Sequence, residues 1–90
     1  MREVFFSVRF KKDVKRFRKS PREQNAILDV IELLRTANPP LPAKLREHTL
    51  SGEFSGCLEC HALPDLLLIY TRTDAALTLL AAGSHAHLFG

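Results

Sequence analysis

The chain has 90 residues, of which 46% are hydrophobic and 26% charged, a composition typical of a small globular protein, and we expect a single domain over residues 1–90. No apolar stretch approaches the roughly 20 residues of a membrane helix, and the charged N-terminus is unlike a secretory signal. These features predict a cytoplasmic protein with no membrane partner. The net charge of +3 is unevenly distributed, because residues 1–20 contain eight basic and two acidic residues.

The first half of the chain predicts one strand and two helices. Apolar residues alternate over residues 3–10, which indicates a strand. Phe10, Val14 and Phe17 then recur at helical spacing. Ser20 and Pro21 are typical of the start of a new helix. The apolar stripe of this second helix is predicted to contain Ile27, Leu28, Ile31 and Leu34.

The second half predicts a four-stranded meander. Three prolines in residues 38–43 end the second helix. Strands are predicted over residues 44–50, 57–63, 66–71 and 76–82, with turns between them and a short tail after Gly83. The order β-α-α-β-β-β-β predicts an α+β fold. The run of apolar residues in 66–70 predicts a central strand buried on both faces.

Residues 57–61, CLECH, match the C-x-x-C-H pattern of haem attachment. In a strand, however, Cys57 and Cys60 point to opposite faces, so the two thiols neither hold one haem nor form a disulfide. The histidines and cysteines also lack the spacing of a structural zinc site. We therefore expect two half-buried thiols, no cofactor and no metal.

Four acid–base groups are predicted to meet at one end of the sheet. His61 lies near the end of one strand and Asp65 begins the next, while His48 precedes the first turn of the meander and His85 follows its last strand. Histidine titrates at about pH 6.5, so one ring can accept a proton while another donates one. Cleavage of RNA without a metal requires such a pair, a base for the 2′-OH and an acid for the departing 5′-oxygen.

Residues 41–56, 59–70 and 83–90 resemble YafQ-type toxins of the RelE/ParE superfamily, and residues 10–19 fit the same family. The resemblance rests on R-E-H-x-L-x-G, H-x-x-x-D-x-x-L-I-Y and G-S-H-x-x-L-F in this chain. It implies a compact RelE-like fold with an antiparallel sheet backed by two N-terminal helices. It also implies the toxin half of a type II toxin–antitoxin pair, a ribosome-dependent endoribonuclease that cuts mRNA in the decoding site.

The resemblance assigns five catalytic positions. His85 is expected to be the main proton-transfer residue, as the general acid, and Asp65 or His61 is expected to be the base or its orienting partner. His48 would bind or polarise the phosphate, and Phe89 would either stack on an unpaired base or only cover the core. His87 has no counterpart in the pattern and is left without a role.

The positively charged residues of the predicted site match the family pattern less closely. Relatives often carry arginine where this chain has Leu58 and Ala81, and Lys44, Arg46 or Arg72 is expected to substitute. The basic residues Lys11, Lys12, Lys15 and Arg16 form either a solvated helix face or a surface for RNA phosphates or for an acidic partner.

The resemblance also implies partners. A cognate antitoxin is expected, often as a heterotetramer of two toxins and two antitoxins, together with the ribosome and mRNA. Operator DNA would be bound only through the antitoxin. Two alternatives stay open: a gyrase inhibitor of the same superfamily, and a binding module whose catalysis is weakened by the absence of arginine at positions 58 and 81.

Overall fold

The computed structural model describes residues 1–90, which form five strands and three α-helices. In chain order they are β1 (Glu3–Phe6), α1 (Val8–Val14), α2 (Pro21–Thr36), β2 (His48–Thr49), β3 (Leu58–Leu63), β4 (Leu66–Arg72), β5 (Ala76–Gly83) and α3 (His85–Phe89). The strands form one sheet in the order β1-β5-β4-β3-β2. The predicted α+β class is confirmed, and β2 to β5 form the predicted antiparallel meander.

The N-terminal strand is shorter than predicted. It also runs parallel to the strand beside it, whereas the sheet was expected to be antiparallel throughout. The Ser7 hydroxyl accepts a hydrogen bond from the Phe10 backbone N–H at 3.0 Å, and this N-cap begins α1 at Val8. Phe10, predicted at the end of the strand as well as in the helix, therefore lies in the helix and is buried. Strand β1 pairs parallel with β5, so the sheet is mixed rather than wholly antiparallel.

Helix α2 begins at Pro21 as the sequence predicts. The Ser20 hydroxyl donates to the Glu23 carboxylate at 3.0 Å. The buried row of α2 is Ile27, Val30 and Leu34, whereas Leu28 is 61% exposed. The predicted stripe was therefore wrong at Leu28, which lies next to the i, i+3, i+7 row that contacts the sheet.

Two segments of the C-terminal half differ from their predictions. The strand predicted over residues 44–50 is reduced to His48–Thr49, because residues Ala43–Leu45 form a 3-10 turn that ends at Arg46 in the left-handed conformation (φ 53°). The predicted tail is helical over His85–Phe89, and the Ser84 hydroxyl caps it by accepting from the His87 backbone N–H at 3.1 Å. A five-residue helix carries too few residues for a periodic pattern to identify it.

Strand β4 is buried on both faces, as predicted, and separates two parts of the core. On one face Leu68 and Tyr70 pack with side chains from α1 and α2. On the other, Leu67 and Ile69 pack with Ala81 and with Leu88 of α3. Full burial of one leucine side chain is worth about 1.5–3 kcal/mol, so the second cluster contributes to holding α3 against the sheet. None of the helices combines the length and apolar character needed to cross a membrane.

Candidate active site

His85 and Asp65 are in direct contact where β4 begins and β5 has just ended. The Asp65 Oδ1 atom lies 3.0 Å from the His85 ring Nδ1 and also accepts the His85 backbone N–H at 3.0 Å. The backbone hydrogen bond and then the ring hydrogen bond lower the pKa of the Asp65 carboxyl group. Because an ionised carboxylate only accepts, Nδ1 of His85 carries the proton and Nε2 is free for chemistry.

His61 faces this pair from the end of β3. Its ring centroid lies 5.9 Å from that of His85. The Nδ1 atom is 3.3 Å from the Pro64 carbonyl oxygen, an acceptor that again directs the proton to Nδ1. The side chain is only 10% exposed, against 58% for His85. The predicted proximity of His61, Asp65 and His85 is therefore observed.

Glu59 links His61 to His48. Its side chain is 3% exposed, and its Oε1 atom lies 3.4 Å from His48 Nε2 and 3.7 Å from His61 Nε2. Strand pairing sets this arrangement, because His48 lies directly opposite Glu59 in the β2–β3 ladder. The buried carboxylate therefore lies within reach of both imidazole rings. Glu59 was not among the predicted site residues, although its place two residues before His61 puts both side chains on one face of the strand.

Phe89 lies beside His85 on the same side of α3. The two residues are four apart in a helix, and their ring centroids are 6.2 Å apart. The rings of Phe54 and Phe89 pack edge to face with their centroids 5.9 Å apart, yet Phe89 remains 48% exposed. Part of its ring is thus free to stack on another planar group.

The cations fall into distinct groups. Lys44 and Arg46 line a cleft of about 290 Å³ together with His61. Arg72 instead donates to both carboxylate oxygens of Glu47, at 2.6 and 2.9 Å, and Tyr70 also donates to Glu47. Arg72 is therefore engaged by Glu47, and it does not line the cleft beside His61.

The Glu47 ion pair also affects titration. Burial acts to raise the pKa of Glu47, but the hydrogen bonds from Arg72 and Tyr70 outweigh it and lower that pKa.

Ala81 is fully buried, so β5 offers no cationic position there, and Leu58 is part of the apolar packing around the helices.

The basic residues of the N-terminal region, Lys11, Lys12, Lys15 and Arg16, are all exposed, and none of them lines the cleft beside His61. Lys11 borders a groove of about 450 Å³ between α1 and α2, and no histidine lines this groove. Arg16 alone reaches α3, where it contacts the His87 ring at 2.7 Å.

Both cysteines are free. Cys60 is fully buried, and burial raises the pKa of its thiol to about 12, which makes it unreactive. The expectation of a half-buried thiol holds for Cys57 only. No group of three or more histidine, cysteine, aspartate or glutamate side chains is arranged to hold a metal ion.

The mixed sheet and its N-terminal helices define a RelE-like fold. The toxin in the YoeB–YefM complex from Staphylococcus aureus, 17% identical, shares this fold with a TM-score of 0.74 over 94% of this chain and 98% of that one. Residues 2–90 match the family model described as bacterial toxin of type II toxin–antitoxin system, YafQ. The chain belongs to this family, and the resemblance inferred from the sequence is confirmed.

Individual relatives agree over nearly the whole chain. The mRNA interferase toxin YafQ of Escherichia coli K12 is 37% identical over 89 residues, which cover 99% of this chain and 97% of the relative. The toxin in the crystal structure of the E. coli DinJ–YafQ complex is 37% identical and superposes with a TM-score of 0.87 over 100% of both chains.

Proposed function

We propose that this protein is an endoribonuclease that cuts mRNA on the ribosome by metal-independent acid–base catalysis. The observation that carries the proposal is the pair of imidazoles, His61 and His85, 5.9 Å apart with a carboxylate beside each. The name mRNA interferase, given to the E. coli relatives, supports the substrate class.

The two histidines have different roles in this mechanism. His61 removes the proton from the ribose 2′-OH, and Glu59 stabilises the charged ring that results. The 2′-oxygen attacks the adjacent phosphorus. The His85 ring, protonated on both nitrogens, donates its Nε2 proton to the departing 5′-oxygen, while Asp65 keeps the Nδ1 proton and holds the ring in place. Because the pKa of Asp65 is lowered, its carboxylate is a poor base at neutral pH and serves as the orienting partner.

Positive charge and stacking complete the site. Lys44 and Arg46 line the cleft beside His61 and would neutralise charge that builds on the phosphate oxygens. His48, on the other side of Glu59, would contact the same phosphate. Phe89 would stack on an unpaired base next to the cut.

The proposed partners follow from the same assignment. A cognate antitoxin would bind the toxin, as in the DinJ–YafQ structure, in a complex with two copies of each chain that contacts operator DNA through the antitoxin. The ribosome would present mRNA to the site. The basic residues of α1 and the following turn would meet ribosomal RNA phosphates, with an affinity that falls as salt rises.

The test is primer extension on translating ribosomes with purified protein, its His85→Ala variant and, as a matched control, Arg22→Ala on the exposed side of α2. We expect cuts within codons from the wild type and Arg22→Ala, and a loss of about 10²–10⁴-fold in His85→Ala. Cleavage that persists with 1,10-phenanthroline, which removes transition metals but leaves ribosomal Mg²⁺, would support chemistry without a transition metal. Equal cleavage by His85→Ala would contradict the mechanism.

The buried Ala81 and apolar Leu58 favour one alternative, a binding module with weak or no catalysis. This alternative predicts ribosome binding without cuts. A gyrase inhibitor would block DNA supercoiling in a gyrase assay, which the nuclease would leave unaffected.

A further inference from the structure

Helix α3 presents His85 and Phe89 to the proposed site, but it is too short to be stable alone. It has five residues, and isolated helices shorter than about 12 residues are marginal in water. Its position must come from contacts with the rest of the protein. Leu88 supplies an apolar contact beneath the helix, and His85 supplies the exposed contact with Asp65. The third contact is made by His87, on the side of the helix opposite His85.

His87 forms a two-sided bridge to α1 and the turn after it. Its Nε2 atom lies 2.8 Å from Asp13 Oδ1, and its Nδ1 atom lies 2.7 Å from the Arg16 guanidinium. Arginine only donates, so Nδ1 must accept, and Nε2 must carry the proton that is given to Asp13. Both contacts are satisfied by one tautomer of the neutral ring.

Asp13 is a firm anchor for this bridge. Its side chain is 7% exposed, its Oδ2 atom accepts the Ala82 backbone N–H at 3.0 Å, and Arg9 lies 3.6 Å from the same oxygen. The carboxylate therefore joins α1 to β5 and, through His87, to α3. Gly83 permits the close approach, because a Cβ atom built there would lie 2.5 Å from His87 Cδ2.

We propose that His87 is a positioning residue for RNA cleavage: by bridging Asp13 and Arg16 it fixes the helix that presents His85 and Phe89. It touches neither of these residues directly and acts through the orientation of α3. This inference rests on the proposed nuclease function. His85 misplaced by about 1 Å costs on the order of 10²-fold in rate, so an anchor remote from the reacting atoms still affects chemistry.

The experiment compares His87→Leu, which removes both polar contacts, with His87→Gln, whose amide N–H and carbonyl oxygen can replace them. Ala86→Ser, at an exposed position of the same helix, is the matched control. The first readout is amide hydrogen exchange in the free protein, followed at Leu88 in α3, at Gly90, which caps α3, and at Ile69 in the core. The second is kcat and KM for mRNA cleavage on ribosomes.

We expect His87→Leu to exchange the Leu88 and Gly90 amides about tenfold faster while Ile69 keeps its protection. Its kcat should fall about 10- to 100-fold, and its KM should rise because Phe89 is displaced together with the helix. His87→Gln should recover most of both properties, and Ala86→Ser should match the wild type. Unchanged α3 exchange in His87→Leu, or a Gln variant no better than Leu, would overturn the proposal.

Two outcomes distinguish a failure of the nuclease function from a failure of the His87 bridge. If the wild type does not cut mRNA but α3 exchange follows the expected order, the anchor stands and the nuclease function fails. If His87→Leu also loses protection at Ile69, Arg16→Ala becomes the deciding variant, read by exchange alone. It removes one contact at the surface, and unchanged α3 exchange in that variant would refute the bridge.

Discussion

One oxygen of Asp65 accepts both the ring Nδ1–H and the backbone N–H of His85, each at 3.0 Å. The carboxylate therefore fixes both the tautomer of the imidazole and the start of the helix that carries it. We expect Asp65→Asn, which keeps an acceptor oxygen but loses the charge, to lower cleavage about tenfold. Asp65→Ala, which loses both, should lower it further. Single-turnover cleavage measures both values, and equal rates in the two variants would show that only the charge matters.

The same pair predicts how stability depends on pH. The pKa of Asp65 is lowered in the folded protein from its ordinary value of 3.8, so the folded state favours the carboxylate. The stability from this contact is present above that ordinary value and is lost as the pH falls through the lower folded-state pKa. Urea unfolding should therefore show a drop in stability below about pH 4 that is smaller in Asp65→Asn. An unchanged pH profile in that variant would contradict the assignment.

Glu59 offers a test of proton transfer that is independent of His85. Glu59→Gln removes the negative charge between His48 and His61, so a protonated ring at either position loses its stabilising partner. We expect the maximal rate of cleavage to fall about tenfold. The matched control is Glu53→Gln, an exposed carboxylate in the preceding loop. An unchanged maximal rate would remove Glu59 from the proposed mechanism.

The ion pair between Arg72 and Glu47 is expected to serve stability alone. Arg72→Met leaves a partly buried carboxylate without its cation and should reduce the free energy of unfolding by about 3 kcal/mol. Cleavage by the fraction that remains folded should stay within about twofold of the wild type. Denaturant titration and cleavage assays test the two halves separately. Loss of cleavage without loss of stability would instead make Arg72 a substrate-binding residue.

Phe89 is expected to act through stacking. A base stacked on an aromatic ring is worth about 1–3 kcal/mol, so Phe89→Leu should raise KM about tenfold or more. Phe5, on the edge strand β1, is 47% exposed against 48% for Phe89, and Phe5→Leu is therefore a control of matched exposure. A similar KM in both variants would support the reading of Phe89 as core cover.

Strand parity was sufficient to predict much of the fold and part of the site. The continuous apolar run of β4 predicted a strand buried on both faces, and the short turn at Pro64 predicted that His61 and Asp65 would lie close together. The return of β5 to the same end of the sheet then placed His85 beside them. These relations depend only on alternation and chain direction, which the sequence contains.

The parts of the fold and of the site that the sequence did not predict depend on contacts between segments distant in the chain. Helix α3 exists because Leu88, His87 and His85 each find a partner elsewhere in the fold, and a local pattern does not reveal such partners. Glu59 has the sequence context of an ordinary strand residue, and only the position of His48 across the ladder gives it significance. Arg72 has the sequence context of a free cation, and only its ion pair with Glu47, 25 residues away in the chain, shows that its charge is engaged.

Arg46 combines a strained backbone with a position at the proposed site. An arginine at φ 53° is held in a conformation that glycine adopts freely, and such strain costs on the order of 1 kcal/mol. In return, its carbonyl oxygen lies 2.9 Å from His48 Nδ1 and its side chain borders the cleft beside His61. Glycine at this position would relax the chain but remove the cation proposed for the cleft, so a substitution that raises stability here is expected to lower cleavage.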